Sequence, residues 1–106
     1  MLPEKRLTQL TQMEAILNES NDFLTEAELF LEKWRAFLPR MKKLEDYYFD
    51  GDWREDFDAY EQGKIPKDMA CGVLSEDLVF NAGVRQQSLS IGYLKLITAI
   101  LDRENT

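Results

Sequence analysis

The sequence predicts an all-α fold: two long antiparallel helices forming a helical hairpin, with short helices in the connector packed at one end. Three observations lead there. Apolar residues recur at helical spacing from Leu7 onward, turn and capping residues cluster between Asp50 and Ser75, and a second apolar-periodic run extends to about Asp102. At 106 residues, with 44% hydrophobic and 31% charged, the chain suits one helical domain spanning 1–106 with a single core.

The first helix rests on a seven-residue ladder. Leu10, Leu17, Leu24, Leu31 and Leu38 form one column, and Ile16, Phe23, Phe30, Phe37 and Leu44 the adjacent one. A third column carries Met13, Ser20, Ala27, Trp34 and Met41. Asn18-Glu19-Ser20-Asn21-Asp22 are mostly weak helix formers, and Thr25 with Glu28 has the capping-box form. The ladder nevertheless keeps register across them, which predicts an unbroken helix. The helix is expected from about 4 to 38, ending there or kinking at Pro39 and continuing to about 48, because proline lacks a donor and crowds the preceding turn.

Asp50-Gly51 signals a turn. Asp52 is placed as an N-cap, with Glu55 reaching back to it, for a short helix over about 53–62 that Gly63 closes. Pro66 fixes a turn over 65–72, and Gly63 and Gly72 are assigned positive φ. The last helix is expected over about 75–102, capped by Ser75 with Glu76 and Asp77 in its first turn. Gly83 and Gly92, costly in a helix interior, suggest close approach of a bulky neighbour such as Phe23, Phe30 or Trp34.

Composition excludes several function classes. There is no histidine, which removes the commonest general base and transition-metal ligand. A net charge of −7 disfavours direct nucleic-acid binding, which needs clustered Lys and Arg. No apolar run approaches a membrane span, and the first residues lack the apolar block of a signal peptide. Lone Cys71 forms no internal disulfide. The expected location is cytoplasmic.

The charge is local. Leu44 to Glu61 holds eight acidic residues against Arg54, with half of the chain's aromatic residues, while the remainder sums to zero. Read as a calcium loop from Asp50, this stretch puts Arg54 on a ligand position and Glu55 on the obligatory glycine. Carboxylate pairs such as Asp52 with Asp56, or Glu55 with Asp58, read as a solvated helix face. Trp53, Phe57 and Tyr60 share the opposite, apolar face. No catalytic, cofactor-binding or metal-ligating residues are assigned. Asp52, Glu55, Asp56, Asp58, Glu61 and Asp68 are the candidate interaction surface.

The middle of the chain carries a resemblance. Trp53-Arg54-Glu55-Asp56-Phe57, Glu61-Gln62-Gly63-Lys64-Ile65-Pro66-Lys67-Asp68 and Gly72-Val73-Leu74-Ser75-Glu76-Asp77 resemble the signature of a small, mainly Gram-positive bacterial family, domain of unknown function 4298. The Leu-rich first helix and the Tyr47-Tyr48 pair are similar to it too. A basic pair that often precedes the signature glycine is replaced here by Ala70-Cys71. The resemblance implies an all-helical fold and supplies no activity. Its structural positions are Trp53, Phe57, Gly63, Pro66, Gly72, Leu74 and Ser75.

The three-column face is wider than one partner helix of about 28 residues covers. Either the connector folds back over the remainder, closing a monomer, or a second chain covers it, and self-association as a homodimer through the first helix is the expected outcome. The leading functional reading is a non-enzymatic protein–protein interaction or scaffold module, with the acidic connector facing a protein partner. The alternatives are an acidic, antitoxin-like inhibitor that mimics nucleic-acid charge, and a carboxylate-based metal site.

Overall fold

A computed structural model describes residues 1–103. Among them the chain is all-helical, with no strand: α1 (Glu4–Asp50), α2 (Trp53–Glu61), a short 3-10 turn (Gly72–Leu74) and α3 (Leu78–Leu101). Two long helices flank a connector holding the short one. The chain divides into two compact units, Met1–Pro39 and Arg40 onward, with the boundary at the proline.

The first unit is helical from Glu4. The helix runs unbroken through the weak formers, and the side chains of Ser20 and, beyond them, Thr25 turn back onto it. Ser20 Oγ donates to the Ile16 carbonyl at 2.8 Å and Thr25 Oγ1 to the Asn21 carbonyl at 3.0 Å. Each hydroxyl is thereby satisfied within a continuing helix. Thr25 thus serves as an interior residue and not as a cap. No residue of α1 is buried, and its apolar columns are open: Phe23 is 68%, Phe30 52% and Phe37 50% exposed. Phe30 and Trp34 pack edge to face, ring centroids 6.0 Å apart. Pro39 lies inside α1, which continues through it to Asp50.

The second unit begins with the end of α1 and turns at Gly51, whose amide donates to the Tyr47 carbonyl at 3.2 Å. A Cβ at Gly51 would lie 2.9 Å from Tyr47 Cα and 3.0 Å from its carbonyl oxygen, so only glycine fits without backbone movement. Asp52 precedes α2 but makes no side-chain cap; only its backbone carbonyl engages, accepting from the Asp56 amide at 2.9 Å. The capping box is thus absent: Asp52 sits at φ −86°, ψ 10°, away from the extended geometry that a cap favours.

The far end of α2 closes as a Schellman motif. The Lys64 amide reaches the Ala59 carbonyl at 2.9 Å, the Gly63 amide reaches that of Tyr60 at 3.1 Å, and Gly63 has φ 72°. Pro66 opens a turn in which its carbonyl accepts from the Met69 amide at 3.1 Å. Gly63 is the one positive-φ residue among those described. Gly72 instead enters the 3-10 turn with ordinary φ, which corrects the expectation for it.

The start of α3 is a second correction. Ser75 is extended (φ −70°, ψ 133°) and ends the 3-10 turn, its amide donating to the Gly72 carbonyl at 3.0 Å. Helix α3 begins at Leu78 behind Asp77 and has no side-chain cap. Leu74, just before the extended Ser75, and Val79, in the first turn of α3, are both buried. A Cβ at Gly83 or Gly92 would meet nothing within 4 Å. No helix among the described residues is long and apolar enough to cross a membrane.

These glycines make an ordered series. Gly51→Ala is expected to cost about 1–3 kcal/mol through its backbone clash, and Gly63→Ala about 1 kcal/mol through its left-handed conformation. Gly83→Ala should be neutral or stabilise by up to about 1 kcal/mol. Urea unfolding followed by circular dichroism gives the order; equal losses at Gly51 and Gly83 would contradict it.

Candidate functional site

The acidic connector is built over one tryptophan. Trp53, at the first position of α2, is 7% exposed, and Leu74 and Val79 are each 5% exposed; these are the buried apolar residues among those described. The indole N–H donates to the Val73 carbonyl at 2.8 Å, tying α2 to the 3-10 turn across 20 positions. Phe57, one turn along α2, stacks on the indole with centroids 5.1 Å apart and planes 16° from parallel. Tyr48, near the end of α1, packs against the Trp53 ring with centroids 4.9 Å apart and donates its hydroxyl to the Glu76 carbonyl at 3.1 Å. The aromatic group therefore links the end of α1, α2 and the entry to α3.

The candidate carboxylates divide by the side of α2 they occupy. Asp52, Glu55, Asp58 and Glu61 are exposed, and Asp68 is exposed in the Pro66 turn. Asp58 lies 3.9 Å from Arg54, a long and solvated pairing of little energetic weight. The Arg54 guanidinium also sits 5.6 Å from the Phe57 ring centroid. Asp56 is half-buried and accepts a 2.5 Å hydrogen bond from the Tyr47 hydroxyl. It is a structural brace between α1 and α2, separated in role from its acidic neighbours.

Burial, then the hydrogen bond to Asp56, then the negative charges of Asp56 and Asp52 push the Tyr47 phenol from its ordinary 10.0 up to about 12. Below about pH 10 the phenol is neutral in both folded and unfolded chains and its full contribution is present. As pH rises further the unfolded chain ionises first, and the contribution disappears as pH passes the folded value.

Beside the aromatic group lies an open hollow of about 410 Å³ whose lining includes Phe57, Tyr60, Glu61, Cys71, Leu74 and Glu76. Among the described residues, no three carboxylate or thiol groups converge as a metal-ligand set. Of the structural positions read from the sequence, Trp53, Phe57 and Leu74 meet in this core. Gly63, Pro66, Gly72 and Ser75 shape the turns around it. Sequence reasoning missed the Tyr47–Asp56 brace; the signal was a tyrosine and an aspartate placed on either side of a tight Asp50-Gly51 turn.

The geometry defines a class: an all-helical module whose short connector is pinned by a tryptophan and surfaced with carboxylates. The chain belongs to the family described as Domain of unknown function (DUF4298), whose model matches residues 10–96. That span covers the aromatic core, α1 from Leu10 onward and α3 as far as Leu96. No curated protein and no solved structure matches the chain.

Two measurements check the site. In an ultraviolet phenolate titration, one of the four tyrosines should titrate near 12. Asp56→Asn should lower that value yet leave it above the ordinary one, because burial is the larger cause; an unchanged value would dismiss the brace. Trp53→Phe keeps the ring stack but strands the Val73 carbonyl, with an expected loss of about 1–2 kcal/mol, against about 3–5 kcal/mol for Trp53→Ala, both from denaturant unfolding.

Proposed function

We propose that this chain is a non-enzymatic protein–protein interaction module of the cytoplasm that self-associates through the apolar face of α1 and offers its acidic connector to a partner bearing basic groups. The observation that carries the reading is the exposure of the α1 ladder. Leu10, Leu17, Leu24, Leu31 and Leu38 are each about half exposed, alongside the phenylalanine column. A contiguous apolar face of this length is unusual on a monomer and marks a surface that association buries. The exposed carboxylates Asp52, Glu55, Asp58 and Glu61 support the second half of the reading. They stand on a short helix held rigidly by Trp53, so the charge is presented without a large ordering cost.

Light scattering over a concentration series tests the first half. A dimer is expected, with Leu24→Asp converting it to monomer while helical content is retained. A monomer at all concentrations would refute self-association. For the second half, neutralising Asp52, Glu55 and Asp58 to the amides should weaken capture of a basic peptide and reduce its salt dependence; unchanged capture would remove the connector as the docking surface.

A further inference from the structure

Resting on the reading that α1 self-associates, we infer that the second copy lies antiparallel to the first, paired over the Met1–Pro39 unit with a two-fold axis passing between Leu24 and Ala27. Side-chain size along the ladder distinguishes the two orientations. In a parallel, in-register pair every residue faces its own counterpart. The third column then sets Trp34 against Trp34, overfilling one layer, and leaves Ser20 and Ala27 facing their own copies across gaps. Both errors are costly, since interiors tolerate neither overpacking nor voids.

Antiparallel pairing removes both. Leu24 of one copy meets Ala27 of the other, Leu31 meets Ser20, Leu17 meets Trp34, and Leu38 meets Met13. Each layer combines one leucine with one residue of the variable column, so no layer holds two tryptophans or two small residues. The phenylalanine column agrees with this register: Phe23 falls beside Phe30 of the second copy, next to the existing Phe30–Trp34 edge contact. Ser20 can be buried cheaply because its hydroxyl is already bonded to the Ile16 carbonyl at 2.8 Å.

Charge and area point the same way. The flanking position that carries Glu14 comes near Arg35 of the second copy, an attractive pair repeated by symmetry at both ends. Phe23, Phe30 and Phe37, each at least half exposed, offer on the order of 100 Å² apiece, given that an aromatic side chain buries about 150–250 Å² in full. With the leucine column the face reaches on the order of 800 Å² per copy, the size of a standard stable interface.

Spin labels decide the arrangement in the full chain carrying Cys71→Ser. A label at Thr25→Cys lies near the axis and should report a short distance, under about 20 Å, in either orientation. A label at Gln12→Cys lies about 13 residues from the axis, so the antiparallel pair places its two copies about 40 Å apart at 1.5 Å per residue. Short at Thr25 with long at Gln12 supports the inference. Short distances at both sites mean a parallel dimer, which overturns the orientation and leaves self-association standing. No dipolar coupling at either site means a monomer and overturns both.

Discussion

The hydrogen bond from the Trp53 indole to the Val73 carbonyl, made under the stacked Phe57 ring, is the constraint on which the ordered part of the connector depends. A carbonyl in a 3-10 turn has no long ladder to join, and when it approaches a buried ring it must find a donor. Tryptophan supplies that donor together with a large apolar surface. The same side chain therefore fixes the start of α2, the position of the 3-10 turn and, through Leu74 and Val79, the entry to α3. With so few buried residues in the described chain, little else is available to do this.

That anchor also explains how a short helix tolerates its acidity. Asp52, Glu55, Asp58 and Glu61 point into water, where like charges are screened. Asp56, on the side nearer the core, has been given a phenolic donor, so its carboxylate is hydrogen-bonded where it is least hydrated. Sequence spacing alone groups Asp56 with its neighbours. The fold separates it from them and makes it part of the frame that holds them.

The long helices were legible in the sequence because a seven-residue ladder is redundant: Leu10 to Leu38 repeat the same message, and the hydroxyls of Ser20 and Thr25 absorb the local dissent. The Schellman end at Gly63 was legible because only glycine is at ease there. The start of α2 at Trp53 was legible too, but its capping was not, nor was the start of α3 at Leu78. Asp52 and Ser75 have capping chemistry, yet caps are local preferences worth about 1 kcal/mol, and the placement of Trp53, Leu74 and Val79 in one core outweighs them. The candidate surface was visible as composition, whereas the Tyr47–Asp56 brace was not, since it depends on the direction the chain takes after Gly51.

The links that tie the second unit together are short in sequence: 9 positions from Tyr47 to Asp56, 20 from Trp53 to Val73 and 28 from Tyr48 to Glu76. Loop closure over such spans loses little entropy, and chains held by near neighbours assemble quickly. The tryptophan core is thus a structure that the emerging chain can complete as soon as α3 begins to form, well before any second molecule is needed. Folding of the connector and assembly of the helix face become separate events in time, the first governed by the chain itself and the second by its concentration.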